Sequence, residues 1–240
     1  MKNVLLLLMM VAVTMSSCNY MGGKRVKGNG NIKSTEHSVS SFKNVDVSGS
    51  IDLYVAQGEV KPVKIETDEN LLQYIEVIQE GDRVEIRTRD GFNLNPSGKI
   101  KVYVTTTLYN KIEVSGASNI NGVGKIVNTE KMSMDVSGAG DINMELNAPA
   151  ISAEVSGAGA VNLKGETKTF DLTLTGAGKA HCFELLSENT KVDISGAGDA
   201  DVYASVKLEA QVSGAGSVAY KGGGTSDSHV SGAGSVKKSD

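Results

Sequence analysis

Tryptophan is absent from this 240-residue chain, cysteine occurs twice, and aromatic residues make up 5% of it. Histidine is scarce as well. His37, His181 and His229 lie far apart on different segments, which suggests neither a catalytic triad nor a zinc site. No basic stripe is present: 24 Lys and Arg stand against 28 Asp and Glu, a formal charge of −4. With no tryptophan and a mildly acidic balance, nucleic acid is not an expected partner. The chain also lacks a convincing helical stripe. Its longest apolar run, Val4 to Val13, has ten residues, where a permanent membrane-spanning helix needs about 20.

That short run is instead read as part of a signal peptide covering residues 1–17. Lys2 supplies the basic start, and Thr14-Met15-Ser16-Ser17-Cys18 closes it. Small residues directly before a cysteine resemble a bacterial lipobox, so Cys18 is the expected lipidation site and mature N-terminus. Removing Lys2 moves the formal charge from −4 to −5. Cys182 is then the sole remaining thiol, which excludes an internal disulfide. Residues 18–41, polar and rich in Gly, Lys and Ser, read as a flexible tether. Lys24, Arg25 and Lys27 would lie near the headgroups, although a solvated linker is the plainer reading.

What the chain does have is a repeated phrase. Val-Ser-Gly-Ala-Gly or a close variant begins at Val114, Val136, Val155, Leu174, Ile194, Val212 and Val230. The first glycines are Gly116, Gly138, Gly157, Gly176, Gly196, Gly214 and Gly232, spaced 22, 19, 19, 20, 18 and 18 residues apart. A near-constant period of this length marks a solenoid, whose coils bury their apolar faces only by stacking. Apolar and polar residues alternate on both sides of each phrase, as in Met132, Met134, Val136 and Ile142, Met144, Leu146. Period two means strand. Each glycine phrase therefore reads as a corner that needs positive φ or close backbone approach. Asn147-Ala148-Pro149 and Gly165-Glu166-Thr167 read as looser returns. The expected fold is all-β, a right-handed parallel β-helix of about 18–22 residues per coil. One inward column would hold Ile142, Val161, Ala180, Ala200, Val218 and Val236, and the next Met144, Leu163, Cys182, Val202 and Tyr220.

Residues 42–110 are still β but less regular, with a hairpin expected between Ile75-Glu76-Val77-Ile78 and Val84-Glu85-Ile86 across Gly81-Asp82. Asp68 is placed to cap one helical turn. Residues 42–240 thus form a single domain, irregular to 110 and regular from 111. Phe42-Lys43-Asn44-Val45, Val47-Ser48-Gly49, Glu69-Asn70-Leu71-Leu72, the hairpin and the repeated phrase occur in an order that resembles the auto-transporter adhesin "head GIN" domain family of Bacteroidetes-type lipoproteins. The resemblance covers about Phe42 to Lys237. It implies a β-helix and an envelope location, and it carries no binding residues with it.

The chemistry readings are sparse. Gly-x-Gly phrases resemble nucleotide loops, but a strand follows each where a helix would be required. Asp141 and Asp199, each after a Gly-Ala-Gly, resemble calcium β-roll positions, yet Ala160, Lys179, Ser217 and Ser235 stand at matching places. Glu113, Asp135, Glu154 and Asp193, interrupted by Thr173, would form a stacked column in which each pair one rung apart costs roughly 0.8 kcal/mol in water before screening. A face relieved by lysines is the bland reading and a weak divalent site the sharp one, so no metal or cofactor is expected. Ser115, Ser137, Ser156, Thr175, Ser195, Ser213 and Ser231 form a hydroxyl ladder, read as hydrogen bonding the corners. The functional reading is a non-catalytic, lipid-anchored envelope protein, on the outer membrane and leaning to its periplasmic side, that presents a rigid surface to a glycan or an envelope protein. The alternative is an assembly module docking through its terminal coil. A carbohydrate-active enzyme ranks last, because the returns are short and the coils nearly loop-free.

Overall fold

The computed structural model describes residues 23–239, so Cys18 and the expected signal peptide lie outside it. Within those residues the fold is all-β, apart from one 3-10 turn at Leu72–Tyr74. No helix among them is long and apolar enough to cross a membrane. The strands run β1 (Lys24–Lys27), β2 (Ile32–His37), β3 (Asn44–Gly49), β4 (Ile51–Gln57), β5 (Val63–Asp68), β6 (Ile75–Glu80) and β7 (Arg83–Thr88). They continue as β8 (Phe92–Asn95), β9 (Ile100–Thr106), β10 (Lys111–Gly116), β11 (Asn119–Val127), β12 (Met132–Gly138), β13 (Ile142–Gly157) and β14 (Ala160–Gly176). The last are β15 (Lys179–His181), β16 (Leu185–Gly196), β17 (Asp199–Tyr203), β18 (Lys207–Gly214), β19 (Ser217–Lys221), β20 (Thr225–Gly232) and β21 (Ser235–Lys238).

Parallel pairing stacks the glycine phrases in register: Gly49, Gly116, Gly138, Gly157, Gly176, Gly196, Gly214 and Gly232 are successive ladder partners. Strands before the phrase make one column and strands after it a second. Both inward columns expected from the sequence are present. Ile142, Val161, Ala180, Ala200 and Val218 are buried, as are Met144, Leu163, Cys182 and Val202. Val236 and Tyr220 are partly buried against them. The returns in the middle coils are not loose. β13 and β14 keep one register through Asn147↔Glu166, Ala148↔Thr167 and Ala150↔Thr169, skipping only Pro149, so strand continues where a loop was expected.

The amino-terminal part departs from sequence order. β3 lies between β7 and β10, and β4 between β9 and β11. The chain therefore builds an inner rung, doubles back to lay down the outer rung of β7 and β9, then resumes stacking on the other side. Antiparallel strands close that end: β6 on β7 through the expected hairpin, β5 on β9, and β2 on β5. Beneath the cap Phe42 packs edge-on against Tyr109 at 6.5 Å. The Tyr109 hydroxyl donates to the carbonyl of Ala56 at 2.7 Å.

Two expectations fail here. Residues 24–37 are not a tether, because β1 pairs in parallel with β8 and β2 pairs with β5. Their polar composition reflects strands that cover a cap and face water. Nor does the Asp68 side chain cap the 3-10 turn; its main-chain carbonyl accepts from Leu71. The carboxylate instead accepts from the Gly30 amide at 2.6 Å and from the amide and hydroxyl of Ser97 at 2.9 and 2.7 Å.

Candidate functional site

The glycine phrases build the scaffold. All seven first glycines have φ between +100° and +138°, a region that favours glycine. At each, an added Cβ would stand 2.0–2.5 Å from the glycine carbonyl oxygen of the preceding rung. That carbonyl is already engaged: the alanine amide of each corner donates to the previous glycine oxygen at 2.8–3.2 Å. The corner is thus held by backbone. The hydroxyl ladder from Ser115 to Ser231 is exposed and makes no side-chain hydrogen bond among the described residues, so its expected corner role is corrected.

The acidic column is brought into register as Asp46, Glu113, Asp135, Glu154, with Thr173 separating Asp193. Cations from the neighbouring outward column interleave with it. Lys111 Nζ lies 2.7 Å from Glu113 and 3.0 Å from Asp135, and those hydrogen bonds raise it above the ordinary lysine value. Lys191 meets Asp193 at 3.1 Å and Arg83 pairs with Asp46. Asp141 and Asp199 do not come together, because Ala160 and Lys179 occupy the rungs between them. Each serves the next rung: Asp141 accepts from the Ala160 amide at 2.9 Å and Asp199 from the Ser217 hydroxyl at 2.5 Å. Among the described residues no group of three potential ligands could hold a metal. Cys182 is buried in the core, and burial pushes its thiol up to about 12.

A concave site lies where the regular ladder breaks. Along β11, pairing with β13 jumps from Asn121↔Asn143 to Lys125↔Glu145, so Gly122, Val123 and Gly124 bulge out. Bulges of this kind re-aim chain next to functional sites. Gly124 takes φ +80°, and an added Cβ on Gly122 would touch Met144 at 3.3 Å, so glycine lets the bulge lie against its neighbour. Three rungs on from the bulge, pairing of β14 stops at Asn162↔His181 and resumes at Gly165↔Leu185, leaving Phe183-Glu184 as a second protrusion. Between them lies a groove of about 650 Å³. Its floor carries Met144, Leu163 and the ladder of Asn143 and Asn162, with Asn162 Nδ2 donating to Asn143 Oδ1 at 2.9 Å. Lys164 pairs with Glu145 at 3.2 Å. On the next rungs the Nδ1–H tautomer of His181 donates to Asp201 Oδ2 at 3.1 Å, and Lys221 sits 5.0 Å from the Phe183 ring centroid.

None of these residues was singled out from the sequence as a site, and the expectation of nearly loop-free coils is corrected by the two protrusions. A signal was present. The commonest glycine spacing in the middle coils is 19, and the intervals of 22 and 20 belong to the coils that carry the bulge and the Phe183 turn.

Residues 41–224 match the family described as putative auto-transporter adhesin, head GIN domain. The chain belongs to that family. The fold is shared with a putative adhesin from Bacteroides fragilis, at TM-score 0.79 and 19% identity over 89% of this chain and 100% of that one. A putative lipid binding protein from Parabacteroides distasonis superposes at TM-score 0.75 and 21% identity, covering 90% of this chain and 100% of its own. A putative adhesin from the same species gives TM-score 0.70 and 24% identity over 90% and 100%. No curated protein matches. Membership makes this head GIN chain an adhesin-like protein, a class that belongs to the cell surface or envelope.

Proposed function

We propose that this head GIN protein is a non-catalytic, lipid-anchored envelope adhesin that binds a glycan chain in the groove between the Gly122–Gly124 bulge and Phe183. The observation carrying this reading is the coincidence of two ladder breaks around one concave, partly apolar floor, since ligand sites are concave with a few placed polar groups. Asn143 and Asn162 each offer both donors and an acceptor, which suits hydroxyl groups that do both. Phe183 supplies an apolar ring at the wall, fitted to the carbon face of a sugar. The groove lining pairs His181 with Asp201 but holds no serine, threonine or cysteine beside them, so the pair has no hydroxyl or thiol to activate for acyl transfer.

Lipidation at Cys18 rests on the sequence alone, and with it the outer-membrane location and periplasmic leaning. The glycan reading is tested on an array with the mature chain, followed by titration of any hit. Phe183→Ala and Asn162→Ala should each weaken binding at least tenfold without lowering the melting temperature. An array with no hits, or a hit indifferent to both substitutions, overturns the assignment. Membrane release and loss of palmitate labelling in Cys18→Ala test the anchor separately.

A further inference from the structure

The segment between anchor and fold is short. The chain enters the fold at Lys24, whose amide donates to Gly91 O at 2.7 Å, and Gly28 leaves the strand donating to Asn95 O at 2.9 Å. Asn70 Nδ2 donates to the carbonyl of Lys27 at 2.9 Å. Gly28 is pressed so closely on Asp68 that an added Cβ would stand 2.3 Å from its carboxylate. β1 is thus fastened to β8, within the connection between the outer-rung strands β7 and β9. With Cys18 as the anchor, residues 19–23 alone separate it from this sheet, and five residues span at most roughly 17 Å.

The two faces of the β1–β8 sheet differ. Lys24, Val26, Phe92 and Leu94 share one face, on which all but Lys24 are partly buried, while Arg25, Lys27 and Asn93 alternate with them on the other and are exposed. The exposed face is therefore basic and amide-bearing. Lys24, Arg25 and Lys27 have no ion-pair partner among the described residues, whereas nearby Lys33 and Arg89 are taken by Glu69 and Glu76. Asp90, in the turn before β8, is a countercharge on the adjoining chain.

We infer that Arg25 and Lys27 form a docking face for an anionic bilayer surface, holding the capped end of the solenoid to the membrane and its carboxy-terminal rungs away from it. The short reach and the unpaired positive charge point to the same occupant. The maximum reach exceeds the screening length of about 8 Å at physiological salt, so the charges, not the tether, would decide between a docked and a lifted domain. Each Lys or Arg near an anionic surface contributes roughly fivefold in binding, and the two together on the order of thirtyfold. The orientation, though not the surface, rests on lipidation of Cys18.

The test uses the mature chain with Cys18→Ser, so that no lipid contributes, in co-sedimentation with vesicles. Binding to phosphatidylcholine mixed with phosphatidylglycerol should exceed binding to phosphatidylcholine alone by on the order of thirtyfold and fall steeply with salt. The double charge reversal Arg25→Glu with Lys27→Glu should abolish the difference, and the milder Arg25→Gln with Lys27→Gln should reduce it. Reversal of Lys237 and Lys238 at the far end should leave it unchanged. Equal binding to both vesicles, or equal losses from reversals at the two ends, overturns the docking face. A chain that binds here yet is not palmitate-labelled in cells would keep the face and remove only the tether.

Discussion

The amide of Ala158 donates to the carbonyl oxygen of Gly138 at 3.0 Å, and the same oxygen would stand 2.0 Å from a Cβ on Gly157. One oxygen thus closes the corner of the next rung and forbids a side chain there. Gly157→Ala must both hold alanine at φ +138° and push two backbones apart. We expect a loss of about 2–4 kcal/mol, read as a lowered melting temperature. Gly81 in the β6–β7 hairpin also has positive φ, but nothing lies within 4 Å of an added Cβ. Gly81→Ala should therefore cost only about 1 kcal/mol. Equal losses at the two sites would show that close stacking plays no part.

Cys182 should be inert in the native state. Thiolate is the reactive form, and burial holds this thiol up to about 12. With Cys18→Ser, an aromatic disulfide reagent should release no colour from the folded protein and one equivalent after unfolding in denaturant. Rapid native labelling would place the side chain outside the core.

Asp68 should link stability to acid. Burial works against its ionised form, but the hydrogen bonds from Ser97 and Gly30 outweigh that and hold its carboxyl below the usual value of 3.8. A folded value below the unfolded one gives stability that is complete above the unfolded pKa and fades as pH falls through the folded one. Asp68→Asn should be destabilised at neutral pH, with its deficit against the parent shrinking below about pH 4. A deficit that stays constant from neutral pH down to acid would remove charge from the account of this latch.

No divalent cation should be needed for folding. Lys111, Lys191 and Arg83 already offset the acidic column, and Asp141 and Asp199 are engaged with the next rung. A cation at a hundred times its dissociation constant would add about 2.7 kcal/mol. Calcium and chelator should therefore give the same melting temperature. A rise with calcium that disappears in Asp141→Ala with Asp199→Ala would make those carboxylates a site.

The stacked half of the fold was legible because each corner repeats a backbone requirement that only glycine meets, at a spacing that fixes the register. Val161, Ala180 and Ala200 could be aligned from Gly157, Gly176 and Gly196 alone. The amino-terminal half carries no such phrase beyond Gly49, and its partners are distant: Val45 meets Val84 on one side and Ile112 on the other. Pairings of that separation leave no local pattern. β1 and β2 were misread because cap strands are covered on little of their surface, so Lys24 to His37 look like linker. The groove was hidden in the exceptions to the period. The added residues at Val123 and Phe183 fall outside the period, and they are the ones that give the surface its shape.

The placement of β3 between two strands that follow it in sequence bears on how length is set. This rung is an internal starter with two growing edges. Growth backwards through β7 ends after one step, because β6, β5 and β2 lie antiparallel and offer no matching corner to a further coil. Growth forwards through β10 can continue for as many copies of the phrase as the gene encodes. One end is therefore fixed by topology and the other is open to duplication. Inserting a second copy of residues 158–176 should lengthen the rod by one rung, roughly 4.8 Å, while the capped end stays as it is.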